Sequence, residues 1–315
     1  MTAPSLLSNF PGGFSGGVSI RGLPVLNTHA GNVYWVHSSR GSDGNRGTRD
    51  RPFATLDYAI GRCTANNGDV IMVMPNHAET ITGVAGIAAD IAGISIIGMG
   101  NGNQRPRFLM DAATTVTAAI TADDVHIKNL VFASGHSNVV ACITTTKKGT
   151  WIDSCEFENN TTNEDFLTCI KATSTTDNDS DHLMVTNCRW LTTDVDDLEM
   201  IEINANLRGF VCSNNFMVSA GTASPLILVA TGKILTAADI GWNRCINLMT
   251  ANELFISNDG TTNTGILHNN YSGHADVTGA HDNGWTSGGW RLFNNQSSSV
   301  DTLQGLLIPA ADVDL

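Results

Sequence analysis

Five carboxylates crowd one short stretch of the chain, TTDVDDLEMIEI: Asp194, Asp196, Asp197, Glu199 and Glu202. Paired carboxylates are what acid–base bond cleavage requires, one group giving a proton while its neighbour takes one or attacks. Asp196, Glu199 and Glu202 are therefore the candidate catalytic groups. The competing reading is an acidic, solvated loop between strands. A second run, Asp177, Asp179 and Asp181 in TTDNDSDH, imitates the opening of a calcium loop. Its sixth position is His182 where glycine is needed and its twelfth is Cys188 where glutamate is needed, so it is not an EF-hand. What remains for it is a loose surface calcium site or an Asn/Asp-rich turn.

The other chemically active residue types are scattered. The nine histidines form no H-x-x-x-H or H-x-H pair, and no G-x-S-x-G, P-loop or dinucleotide fingerprint stands in its required strand and helix context. The seven cysteines are odd in number and include no C-x-x-C pair, which reads as free thiols used as small buried hydrophobes in a reducing cytoplasm. The sequence thus assigns no catalytic residue, no cofactor site and no metal site beyond the candidates above.

The background carrying these groups is weakly charged. Charged residues make up 15% and hydrophobic residues 42%, and the formal net charge is -13 with a pI near 4.9. That balance excludes disorder and argues against nucleic acid or anionic membrane as partners, because both are bound mainly through Lys and Arg. No export signal or membrane span is visible.

An internal repeat supplies the architecture. Seven segments align: VHIKNLVF (125–132), TWIDSCEF (150–157), LMVTNCRW (183–190), GFVCSNNF (209–216), IGWNRCIN (240–247), TGILHNNY (264–271) and WRLFNNQS (290–297). In this alignment the third position is apolar throughout (Ile127, Ile152, Val185, Val211, Trp242, Ile266, Leu292). The fifth is polar (Asn129, Ser154, Asn187, Ser213, Arg244, His268, Asn294). The eighth is aromatic in five segments (Phe132, Phe157, Trp190, Phe216, Tyr271). Fifth positions are 25, 33, 26, 31, 24 and 26 residues apart. A second register, Ile143, Ile170, Ile201, Ile227 and Phe255, keeps a similar period. Such drift around one period is the signature of a solenoid with loops of unequal length. The expectation is an all-β parallel β-helix in which like residues stack: an aliphatic column, an aromatic column, a ladder of amides and hydroxyls at the bend, and Cys155, Cys188 and Cys245 sharing one column.

Ahead of the repeat, residues 1–33 read as an extended Gly/Pro-rich arm that docks rather than folds alone. Residues 34–82 read as a cap and first coil, with an amphipathic helix over 54–66 sealing the open end. Residues 83–300 form the coils, and 301–315 a C-terminal tail, in one structural domain overall.

The stretch from Tyr34-Trp35-Val36 to Ile60, with Gly41-Ser42-Asp43-Gly44, Gly47-Thr48, Pro52-Phe53, Thr55-Leu56 and Ala59, resembles the entry motif of the pectin-lyase-like β-helix superfamily, in the version found in phage tailspike-like and virion proteins. GDVIMVMPNHAET (68–80) is similar to the first coil of those proteins. The resemblance covers residues 34 to about 82 by motif and the rest by repeat pattern. It implies a right-handed coil and, in the phage branch, a homotrimer. Together with the free thiols, the lack of a visible export signal and the lack of a catalytic signature, it leads to the expectation of a structural role without catalysis: a capsid-stabilising or decoration subunit of a tailed phage, bound to itself and to the major capsid protein, assembled in the host cytoplasm and carried on the virion surface. The alternative it leaves open is a tailspike-type receptor-binding protein or polysaccharide depolymerase, lyase or glycoside hydrolase, for which the residues around Asp196 would be the site. Fold alone does not choose between them.

Overall fold

A short strand whose inward side chains are apolar buries them only if another strand lies above or below, so a repeat of this kind must coil. The computed structural model describes residues 18–20, 23–25, 31–159, 164–174, 176, 178–192, 196–220, 225–248, 255–258, 262–274, 289–299 and 306–307. It is a parallel β-helix. Two ten-stranded sheets and one seven-stranded sheet run along it, with successive coils contributing successive strands. Sheet 1 runs from Val33–Val36 through Val70–Val73, Ser95–Gly98 and His126–Lys128 to Gly289–Phe293; sheet 2 from Ala78–Ile81 through Val131–Ser134 to Gln296–Ser299, closed by the antiparallel Leu306–Leu307; sheet 3 from Ile87–Ala89 to Ile256–Asn258.

Inward columns follow the register. In sheet 1 the stack is Ile71, Ile96, Ile127, Ile152, Val185, Cys212, Ile240, Leu267 and Leu292. Sheet 2 stacks Phe108, Phe132, Phe157 and Trp190, with the three phenylalanine rings 5.8 and 5.9 Å apart in sequence, and continues with Met217 and Cys245. Sheet 3 stacks Ile143, Ile170, Ile201, Ile227 and Ile256.

Four of the expected assignments are corrected by this register. Val211, Trp242 and Ile266 do not point inward; Cys212, Ile240 and Leu267 take that column, and its spacings become 25, 33, 27, 28, 27 and 25. Phe216 and Tyr271 pair with Arg189 and Arg244 in an outward column rather than joining the aromatic stack. Ile256, not Phe255, continues the sheet 3 column. Cys155 and Cys188 share the position after the bend, but Cys245 lies in the column of Trp190 and Met217. All seven cysteines are free and six are buried, and burial pushes the Cys212 and Cys245 thiols up to about 12.

The bend from sheet 1 to sheet 2 explains where the side-chain ladder sits. Its first residue is left-handed in every coil from Asn129 onward: Asn129, Ser154, Asn187, Asn214, Trp242, Asn269 and Asn294, with φ between 52° and 63°. Asparagine tolerates this conformation and most L-residues do not. The second residue carries the ladder. Asn215, Asn243, Asn270 and Asn295 are buried, and each Nδ2 of the first three donates to the Oδ1 of the next at 3.0 Å. Each amide also donates to a carbonyl of the preceding coil, Val185, Cys212, Ile240 and Leu267, at 2.8–2.9 Å. In the earlier coils the thiols of Cys188 and Cys155 take over this role toward Ile152 and Ile127, at 3.6 and 4.0 Å.

The helix expected over 54–66 is realised as Leu56–Ile60 alone, because Gly61 follows at its C-terminus. Leu56, Ala59 and Ile60 are buried against the first coils, and Asp43 holds the entry by accepting from the Ala54 and Thr55 backbone N–H groups at 2.9 and 3.1 Å. Most of the 1–33 arm and of the 301–315 tail lies outside the described residues; within the arm, Val18–Ile20 and Leu23–Val25 pair antiparallel. Among the described residues no helix is long and apolar enough to cross a membrane.

Replacing Asn243 by Ala removes the amide that Asn215 N–H and Cys212 O both use. Unsatisfied buried groups of this kind cost about 1–3 kcal/mol each, so a loss of about 3 kcal/mol in urea unfolding is expected. An unchanged midpoint would mean that the ladder does not stabilise the coil.

Candidate functional site

The acidic segment folds onto the outward edge of sheet 3. Asp196 is exposed, Asp197 is buried, and Asp194 lies outside the described residues. Glu199 and Glu202 belong to the strand Glu199–Asn204, which pairs in parallel with Thr168–Thr173 so that Thr168 faces Glu199 and Lys171 faces Glu202. Thr168 Oγ1 donates to Glu199 Oε1 at 2.6 Å, and Lys171 Nζ lies 2.6 Å from Glu202 Oε2. The backbone N–H groups of Leu198 and Glu199 both donate to Leu167 O, which folds the neighbouring coil's loop beside the pair.

This geometry separates the roles of the two carboxyls. Burial pushes Glu199 up to about 7, opposed by the Thr168 hydroxyl and reinforced by the charge and hydrogen bond of Glu202. Lys171 is paired with Glu202, and beside them Glu199 carries a proton up to about neutral pH. That is the electrostatic pattern of an acid–base pair. Access is the obstacle. Glu199 is 4% exposed, so a polymer chain reaches it only by displacing the cover.

The calcium-like run is occupied by its own chain. Asp181 accepts from the Arg208 backbone N–H at 2.7 Å and from its guanidinium at 2.9 Å, and Asp179 accepts from Ser174 at 3.5 Å. Asp177 lies outside the described residues, and among the described residues no three His, Cys, Asp or Glu side chains are grouped to hold a metal ion.

The outward faces of sheets 1 and 2 were hidden by the register error. On sheet 1, Val70, Met72, Ile97, Trp151, Met184 and Val211 are half-buried, while Ile266 is 47% exposed and Phe293 67%. Polar residues alternate with these in both outward columns: Ser95, His126, Asp239 and Arg291 in one, and Lys128, Asp153, Thr186, Ser213 and His268 in the other. Asp153 is buried beneath Lys128 Nζ at 2.7 Å and accepts from Thr186 and Asn187. Burial opposes ionisation there, but these partners hold its carboxyl below the usual range. Beside it the His126 and Trp151 rings stack at 4.1 Å, and burial lowers the His126 imidazole. On sheet 2, Glu156 takes both Arg105 and Arg189, and the outward column continues as Phe216, Arg244 and Tyr271. At the shared bend Trp242 is left-handed and 59% exposed. The Asn-Asn doublets at 214–215, 269–270 and 294–295 were the signal that fixes this register: aligned on them, Cys212, Leu267 and Leu292 fall in one column.

No protein-family model and no curated protein sequence matches the chain. Among solved structures it is similar to a rhamnogalacturonan lyase, at 16% identity and a TM-score of 0.50 over 85% of this chain and 74% of that one. The chain shares the parallel β-helix fold of that protein. It is also similar to Escherichia coli YbhC, at 11% identity and a TM-score of 0.49 over 91% and 90% of the two chains. A GH136 lacto-N-biosidase from Eubacterium ramulus follows at 12% and 0.34, over 85% and 68%.

The carboxyl pair makes a stability prediction with a definite sign. A carboxyl raised from 4.5 to about 7 on folding contributes stability that is fully present below pH 4.5 and is lost as pH rises toward 7. Glu199→Gln keeps the acceptor for Thr168 without the charge. Its unfolding free energy, relative to the parent, is expected to rise by up to about 3 kcal/mol between pH 4.5 and pH 8. Parallel pH profiles for the two proteins would contradict the buried, proton-holding pair.

Proposed function

We propose that the chain is a structural subunit of a tailed-phage particle, a homotrimer that stabilises or decorates the capsid without catalysis. The observation that carries this reading is the lane of apolar side chains that sheet 1 turns outward from Val70 to Phe293, interleaved with polar ones. Strands at about 4.8 Å spacing make that lane roughly 40 Å long. A solenoid needs its apolar residues inside, and a large outward apolar strip on a soluble chain marks a surface that another protein covers. The entry motif over 34–82, the cytoplasm-compatible buried thiols and the net charge of -13, which disfavours a nucleic-acid role, support the same reading.

A second reading, a polysaccharide depolymerase, is favoured by the Glu199–Glu202 pair beside Lys171. The near-complete burial of Glu199 weighs against it. Polysaccharide cleavage that is abolished by Glu199→Gln and by Glu202→Gln would establish it.

The copy number of the chain in purified particles, by quantitative mass spectrometry against the major shell protein, tests the leading reading. Near-stoichiometric abundance is expected. A few to some tens of copies would point to a tailspike, and absence would contradict a virion role.

A further inference from the structure

Trp242 is placed where stability alone does not put a tryptophan. It occupies the left-handed bend position that asparagine fills in five of the seven coils from Asn129 to Asn294, and it is 59% exposed. An L-residue other than Gly, Asn or Asp is held there at a cost of about 1–2 kcal/mol. Its ring meets His268 edge-on at 6.4 Å, and His268 Nε2 lies 2.8 Å from Asp239 Oδ1. Gly241 makes room for that imidazole, since a Cβ there would lie 2.3 Å from its ring. Phe293, the most exposed aromatic side chain among the described residues, stands just before the same bend further along the coil.

The edge has a second property. From Asn129 onward, sheet 1 passes to sheet 2 in two residues in every coil, whereas the other bends carry loops of unequal length. It is therefore an edge free of protruding loops among the described residues. It is flanked by opposite charges at one height: Asp239, 61% exposed on sheet 1, and Arg244, exposed on sheet 2, lie either side of Trp242 in the same coil. Among the described residues Arg244 has no ion-pair partner in its own chain.

We infer that this edge is the contact between copies of the chain. Three copies stand around a threefold axis parallel to the coil, and the sheet 1 side of each docks on the sheet 2 side of the next. A cyclic trimer makes such heterologous contacts, and an axis parallel to the coil brings residues of the same coil together. Asp239 of one copy then meets Arg244 of its neighbour, and Trp242 and Phe293 are buried between them. The inference rests on the trimeric reading above and specifies its surface.

Trimer dissociation on dilution, followed by native mass spectrometry, tests it with Arg244→Glu, Asp239→Arg, the double swap and Trp242→Asn. The parent chain is expected to be a trimer. Each charge reversal should weaken it at least tenfold, and the double swap should restore it. Trp242→Asn should raise the thermal midpoint of the isolated chain yet weaken the trimer, so misfolding cannot explain its effect. A trimer that all four variants leave unchanged overturns this surface and spares the trimeric reading. Singles that weaken without rescue in the double swap overturn the Asp239–Arg244 contact. A monomeric parent chain overturns both.

Discussion

The whole structure depends on one constraint: a single coil has no interior, so every inward side chain must find its neighbours one coil above and below. The asparagine ladder is the sharpest expression of it. At Asn215, Asn243 and Asn270 the amide of each coil donates to the next amide and to a backbone carbonyl, and Asn295 ends the column by donating to Leu267 O, so a polar column is hydrogen-bonded within the core. A satisfied column of this kind fixes the register, because a slip of one residue would bury an unpaired amide and turn each strand inside out. Where the ladder runs out toward the N-terminus, the thiols of Cys188 and Cys155 take its place, which gives those cysteines a packing role with a weak hydrogen bond rather than a redox one.

Register in turn decides what the outside can do. Once Cys212, Ile240 and Leu267 are inward, Val211, Asp239 and Ile266 are outward, and the outside of sheet 1 carries apolar side chains interleaved with polar ones, beside an Arg-bearing face on sheet 2. The carboxyl pair of Glu199 and Glu202 is a different device. It sits where strands of adjacent coils bring Thr168 and Lys171 against it, with its proton held by burial rather than by a cavity shaped for a ligand.

The fold class was legible in the sequence because the repeat recurs through most of the chain, and its core columns at Ile127, Ile152, Val185 and Leu292 were read in register. The slips at Val211 and Ile266 have a common cause. An apolar residue beside an apolar residue, Cys212 or Leu267, offers two registers, and hydrophobicity alone does not choose between them. Trp242 is a different slip, of two residues: it stands between Gly241 and Asn243 at the bend itself, where the usual asparagine is replaced. The polar partner at the bend chooses, and Asn-Asn doublets mark it. The shortened helix reflects Gly61, which the face pattern of Leu56, Ala59, Ile60 and Cys63 outweighed. The acidic segment was legible as a cluster but not as a pair, since the contact of Glu199 with Thr168 and of Glu202 with Lys171 spans 31 residues of chain in each case.

Hydroxyl-radical footprinting of the intact chain, read residue by residue by mass spectrometry at low and high concentration, reaches the register and the assembly together. Trp242 and Phe293 are expected to oxidise rapidly in the dilute chain and to be protected at high concentration, with Trp190 protected in both. Trp242 as protected as Trp190 in the dilute chain would contradict the register and every surface built on it.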